Sequence, residues 1–313
     1  MKTFPLLQGQ VEVWSAWMTN PASVAYNLPA VVPFLQDIDL DRLSQALQKI
    51  WEQRRELHTQ FTISANGEPR QWADDSLSLP LVRRKMTEKD AQSYIHCGFV
   101  RPFAVSAGQP FVRFEIVETE AHHYLLYDVH HLIGDGLTLS RAFLSKDLPA
   151  AYAGEPLTPQ EYGLFQHAEA EEEMMHSDRY KHDALFYQQE LKGVDFTSLS
   201  TQVASPWGRR IGATESVDAA AIDEWCQQQG VTHNLFFMTA FALVLSRLSG
   251  EAQVAFACLN HGRSDHRLAD AYGMFVCSVP VLARVEEEQS VKDLMGQLRR
   301  WLISTVRHRA YPL

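Results

Sequence analysis

Apolar positions along this chain recur with two periods, and the switches between them mark its elements. Residues 24–35, VAYNLPAVVPFL, are mostly apolar and predict a strand, with Pro29 and Pro33 suiting it to an edge or a bulge. In DIDLDRLSQALQKIW, Leu40, Leu43, Leu47 and Ile50 fall at helical spacing behind Asp39, a residue type that accepts hydrogen bonds from a helix's first N–H groups. LHTQFTIS (57–64) alternates as a strand, and NGEPRQW turns into another. MTEKDAQSYIHCGFV predicts a helix capped by Thr87. Strands follow at 110–118 and 122–131, joined by the polar link TEA, and Gly136 opens a helix predicted to reach about Tyr152.

The second half changes character. Residues 164–191 are polar and charged at helical spacing, which predicts surface helices carrying the chain from one lobe to the next. The run Glu171, Glu172, Glu173 within them is expected to be a solvated face. GVTHNLFFMTAFALVLSRLSG (230–250) is apolar nearly all round and predicts a buried helix ended by Gly250. AQVAFACLN (252–260) is expected as a buried strand, and MFVCSVPVLARV as another. Val291, Leu294, Leu298, Trp301 and Thr305 then hold one face of a last helix. Helices alternating with strands in both halves predict an α/β protein of two-layer α+β units, each a sheet covered by helices. The expected boundaries are residues 1–175 and 176–313.

Composition narrows the function classes. The chain has 313 residues, 46% hydrophobic and 21% charged, which is ordinary globular composition. Its net charge of −10 argues against a broad nucleic-acid surface, and clusters such as Arg83-Arg84-Lys85 and Arg299-Arg300 are expected to be solvated. No apolar run is long enough to span a membrane, and MKTFPLLQGQ lacks a secretory apolar region, so a cytoplasmic location is expected. Cys97, Cys226, Cys258 and Cys277 are widely spaced and fit small buried thiols in a reducing compartment.

Candidate chemistry concentrates in VHHLIGDGLT (129–138), at a strand-to-helix junction. Strand alternation puts His131 on one face with Val129, Tyr127, Leu125 and His123, and His130 on the other with Asp128. The paired imidazoles therefore diverge, and His123 is too far from His131 along the strand to share an ion, which disfavours a metal site. Two readings remain open: a structural turn with satisfied histidines, and acid/base chemistry. On the second, His131 changes charge near neutral pH and accepts or relays a proton. Asp135 is expected to be structural, since a buried carboxylate at a turn requires a cationic partner. Gly136 removes a side chain where a substrate must pass, and the helix it opens offers backbone N–H groups to a developing oxyanion.

At this motif the chain resembles the condensation domains of nonribosomal peptide synthetases, within the superfamily that includes chloramphenicol acetyltransferase. The resemblance runs along the whole chain. LQGQVEVW (7–14) resembles S-x-A-Q-x-R-L-W through Gln10 and Trp14, with Glu12 at the usual Arg. PASVAYNLP (21–29) resembles the segment that follows. QRRELHTQF (53–61) resembles R-H-E-x-L-R-T-x-F through Leu57, Thr59 and Phe61, but departs at Gln53, Arg54, Arg55 and His58. HHLIGDG matches H-H-x-x-x-D-G in full. LNHGRSDHRLADAYGMFVCSVPVLAR (259–284) resembles the A-G-R…G-x-F-V-N-T…R block with Cys277 at the usual Asn, and HRAYPL (308–313) resembles H-x-x-Y-P-F.

The resemblance implies two acetyltransferase-like lobes in a V, the first at 1–175 carrying the motif and the second, at 176–313, incomplete because family members run on beyond the Y-P element. It implies peptide-bond formation between a donor aminoacyl or peptidyl thioester and an acceptor amine. Both would arrive on phosphopantetheine arms of peptidyl carrier domains, with an adenylation domain adjacent in the synthetase. It assigns His131 to deprotonating or positioning the amine, gives His130 a more structural place beside it, and pairs Asp135 with Arg263. It implies no metal and no tightly bound cofactor. An epimerisation domain, a free-standing acyltransferase and an inactive binding module of the same fold are the competing expectations.

Overall fold

The computed structural model describes residues 2–104, 108–194, 196, 214–309 and 311. In chain order its elements begin with β1 (Phe4–Pro5), α1 (Gln8–Thr19), β2 (Asn27–Phe34), α2 (Leu40–Gln53), β3 (Thr59–Ile63), β4 (Pro69–Ala73), β5 (Leu81–Lys85) and α3 (Glu88–Cys97). They continue with β6 (Val112–Glu118), β7 (His123–His130), a π-helical segment (Thr138–Asp147), α4 (Leu148–Ala153), α5 (Leu164–Met175), α6 (Asp178–Glu190), α7 (Ala219–Gln229), α8 (His233–Ser249), β8 (Gln253–Asn260), β9 (Cys277–Arg284) and α9 (Val291–Arg307). The helix α1 carries no expectation from the sequence pattern; it buries Gln10, Val13 and Trp17.

The chain divides into two compact units, Met1–His176 with Asn260–Cys277, and Ser177–Leu259 with Ser278–Leu313. A cut at 175/176 alone would therefore assign Asn260–Cys277 to the second half, whereas the structure packs that segment into the first unit. Two buried ion networks, described below, hold it there.

In the first unit a four-stranded sheet runs β2-β7-β6-β5, antiparallel except for the parallel β5–β6 pair, beside a three-stranded sheet β1-β4-β3. The prolines place β2: Pro29 and Pro33 point outward on this edge strand. Alternate residues of β7 serve two cores. Leu125, Tyr127 and Val129 join Leu43, Leu47 and Ile50 of α2 and Phe143 of the π-helical segment. Tyr124 and Leu126 face Ala91 of α3 and Phe99. The sheet is thus buried on both sides. The predicted caps are in place, with Asp39 accepting from the N–H groups of Asp41 and Arg42, and Thr87 from that of Asp90.

The second unit packs α8 and α9 on the β8–β9 pair, around Leu235, Leu245, Val254, Val281, Leu294 and Leu298. Here three expectations are corrected. The apolar helix α8 is buried on one face only, and Phe237, Phe241, Val244 and Leu248 are exposed. The strand β8 is buried at Val254 and Ala255, but Leu259 is exposed, and Val291 at the start of α9 is exposed too. A two-stranded sheet offers one apolar layer, so a helix laid on it buries one stripe.

The acidic run is also more than a solvated face. Glu171 accepts the Gln8 N–H and its carboxyl is pushed up by burial, while Glu172 pairs with Arg70 at 2.8 Å. Of the basic cluster 83–85, Arg83 pairs with Asp41, Arg84 with buried Glu115 and Lys85 with Glu118. The four cysteines are free thiols; Cys226 is buried as expected, whereas Cys97, the last residue of α3, is exposed. Among the described residues no single helix is long and apolar enough to cross a membrane. Of the H-x-x-Y-P-like element, Ala310, Pro312 and Leu313 lie outside the described residues.

Candidate active site

Strand β7 delivers the histidine pair to the end of the four-stranded sheet. The His130 N–H donates to Phe111 O at 2.8 Å and the His131 N–H to Tyr26 O at 2.8 Å, so both backbones are pinned. The turn beyond is held by a buried amide clamp: Gln10 Nε2 donates to Leu132 O at 2.7 Å and to Gln71 Oε1 at 2.9 Å. Gln10 and Gln71 are both 0% exposed. Gln10 belongs to the opening motif, yet nothing in the sequence points to Leu132, 122 positions away, as its partner.

The two imidazoles sit in different surroundings. His130 is buried, ringed by Trp17, Phe103 and Phe111 at centroid distances of 5.3, 5.8 and 5.8 Å. The Leu132 N–H donates to its Nδ1, so the ring proton resides on Nε2, which is buried without a partner. Burial, then the neighbouring His131 and Arg113 charges, push its pKa down to about 3. A ring held neutral in this way packs and orients; it does not exchange protons near neutral pH. His131 lies one residue past the strand end and is half-buried. Its Nδ1 is buried with no hydrogen-bond partner, and among the described residues the ring makes no hydrogen bond.

Asp135 is fully buried and satisfied on both oxygens. Oδ1 accepts from Thr138 N at 2.9 Å and from Arg263 Nη2 at 2.9 Å; Oδ2 accepts from Arg263 Nη1 at 2.6 Å and from Phe275 N at 3.0 Å. The pairing of Asp135 with Arg263 is therefore bidentate and dry, the geometry in which a carboxylate and a guanidinium fit best. Gly262 permits this approach: its φ is +68°, and a Cβ there would lie 1.7 Å from Phe275 O. Asp135 also draws on the N–H groups proposed for an oxyanion, because Thr138 N and Leu139 N donate to its side chain and carbonyl. Gly136 is exposed, and a Cβ there would meet no protein atom within 4 Å.

The helix predicted from Gly136 onward is wound as a π-helix from Thr138 to Asp147. Thr138 and Asp147 stand nine positions apart. In an α-helix of about 3.6 residues per turn they would face opposite ways. Closed by i→i+5 bonds, a turn takes more than four residues and the two share a face. Both are buried, and they grip adjacent residues of the returning segment. Thr138 Oγ1 donates to Gly273 O at 2.8 Å, and Asp147 Oδ2 accepts from the Tyr272 hydroxyl at 2.8 Å. Arg54 completes this second network with bonds of 2.6 and 2.9 Å to Asp147. Burial, then the Asp147 carboxylate, hold the Tyr272 hydroxyl well above its usual pKa. Sequence reasoning missed this triad; its one signal was the departure from the family pattern at Arg54.

A cleft of about 630 Å³ lined by Trp51, Arg55, His58 and Asp75 also lies in the first unit, and none of residues 130–136 lines it. The site chemistry therefore rests on geometry at the strand end rather than on cavity size.

The condensation-domain family model matches residues 1–313. Surfactin synthase subunit 2 of Bacillus subtilis (strain 168) is 26% identical over 317 residues, covering 99% of this chain and 9% of that protein. Surfactin synthase subunit 1 of the same organism is 24% identical over 319 residues, covering 99% and 9%. The chain thus spans about a tenth of the length of these relatives. Among solved structures, the first condensation domain of the calcium-dependent antibiotic synthetase with substrate analogue 3a superimposes with TM-score 0.78 at 17% identity, covering 99% of this chain and 76% of that one. A variant of the starter condensation domain of rhizomide synthetase RzmA in complex with C8-CoA gives 0.81 at 20% identity, covering 99% and 73%. These likenesses agree with the α/β fold, and the full-length family match shows that the chain belongs to the condensation-domain family.

Proposed function

We propose that this chain joins a carrier-bound donor aminoacyl or peptidyl thioester to a carrier-bound acceptor amine, forming a peptide bond in nonribosomal peptide synthesis. The observation that carries this reading is the uncommitted His131 ring, beside a turn locked by Asp135 and Arg263. The amine nitrogen attacks the thioester carbonyl; a C–N bond forms, the C–S bond breaks, and the donor arm leaves as a thiol. His131 takes or orients the amine proton, which ends on the departing sulfur. His130 supports it as a neutral packed ring, Asp135 and Arg263 hold the loop, and Gly136 leaves room for substrate. The thioester supplies the driving force, so neither a metal nor a tightly bound cofactor enters the scheme. Carrier domains on phosphopantetheine arms, and an adjoining adenylation domain, are the partners this chemistry calls for in the cytoplasm.

A second reading keeps the same site and changes the donor to a fatty acyl thioester; the likeness to a starter condensation domain supports it. One assay separates the readings. The chain is given a loaded acceptor carrier with either an aminoacyl carrier or octanoyl-CoA, and the product on the acceptor is weighed by mass spectrometry. His131→Ala is expected to lower the rate by about 10²–10⁴-fold with the fold intact. Full activity in that variant would remove His131 from the mechanism. Solvent deuterium at the donor α-carbon without any acceptor would instead favour epimerisation.

A further inference from the structure

In the second unit, α6 carries His182 and Asp183 side by side, and His308 follows the last residue of α9. The ligand-capable atoms of these three residues lie within 4.8 Å of one another. We propose that His182, Asp183 and His308 bind one divalent transition-metal ion of the zinc class, tying α6 to the end of α9. This site is separate from the histidine motif and independent of the acyl-transfer reading.

Three features beyond proximity support it. The His308 Nδ1 donates to the Ser304 carbonyl at 2.8 Å, and because a carbonyl only accepts, the ring proton is on Nδ1 and the Nε2 lone pair is left for a metal. A backbone carbonyl behind a histidine is the usual outer support of a metal-bound imidazole. Phe186 lies flat on the His308 ring, 3.8 Å away and within 4° of parallel, which fixes its plane. His182 stacks on the His308 ring at 5.5 Å, its Nδ1 is 3.1 Å from Asp183 Oδ1, and its side chain is 73% exposed.

The donor set selects the ion. Two imidazoles and one carboxylate suit zinc, cobalt or nickel, whereas calcium and magnesium favour all-oxygen shells. With metal–nitrogen bonds of about 2.1 Å, tetrahedral ligands stand roughly 3.4 Å apart, a closing movement that rotation of His182 supplies. Asp183 is buried and supplies the carboxylate of the set.

The test titrates the metal-stripped full chain with Zn²⁺ by calorimetry, and with Co²⁺ by visible absorption. One equivalent is expected to bind, with a tetrahedral cobalt spectrum and a raised melting temperature. His182→Ala and His308→Phe should each weaken that binding at least about tenfold and abolish the melting shift. His308→Phe retains a ring on Phe186, so the fold survives while the ligand is lost. Equal binding by parent and both variants, or no saturable binding by the parent, overturns the proposal.

Discussion

The two units treat apolar sequence differently. In the first, both faces of the four-stranded sheet are covered, and Leu125, Leu126, Ile116 and Val117 are at most 1% exposed. In the second, α8 has the more continuously apolar sequence, yet Phe241 is 49% and Leu248 67% exposed. An apolar run measures capacity for burial; the number of layers laid against it decides how much is used. The contrast extends to charge. The first unit buries Arg263 with Asp135 and Arg54 with Asp147, all side chains at 5% exposure or less. Such pairs survive only where the surrounding layers exclude water and every remaining lone pair finds a donor.

The comparison breaks most directly at Asp135. Asp135→Ala strands the Arg263 guanidinium in a dry site and is expected to cost about 3–5 kcal/mol in denaturant unfolding. A variant as stable as its parent would refute the coupling of the motif loop to Arg263. Core truncation comes next. Leu125→Ala is expected to cost about 2–5 kcal/mol. The same change at Leu248 should fall within about 0.5 kcal/mol of the parent. Similar losses at both positions would show that the second unit covers α8 as fully as the first covers β7.

At neutral pH the last effect is silent, and it is read in acid. The folded pKa of His130, pushed down to about 3, lies below its ordinary value of 6.5. The unfolded chain therefore takes up the proton first. The stability contributed by the neutral ring is complete above the ordinary value and is lost as pH falls from there towards the folded pKa. His130→Phe, which suits the cage of Trp17, Phe103 and Phe111, should remove about one proton from the uptake on unfolding across that window. Stability curves of equal slope in parent and variant would dismiss His130 as the buried neutral ring.

Much of the fold was legible because it depends on neighbours in the chain. Asp39 and Thr87 cap helices because their oxygens reach N–H groups two or three residues on. The prolines of β2 mark an edge because they lack a ladder donor. Asp135 and its cation were legible in part: burial of a carboxylate demands a partner, but only the family resemblance singled out Arg263. The π winding, the amide clamp and the Arg54–Asp147–Tyr272 triad were not legible. The triad's members stand 93 and 125 positions apart and the clamp's 61 and 122, and no local period records such distances.

By itself the amino-acid sequence determined where most of the helices and strands lie and which of their faces are apolar. The tertiary structure alone decided which imidazole is sealed in an aromatic cage and which ring remains uncommitted. It also decided that residues 260–277 return to the first unit, and that two turns of helix wind loosely enough to grip them. The physical reason is range. Periodicity and capping are written in bonds a few residues long, whereas burial and ion pairing depend on which distant segments displace the water.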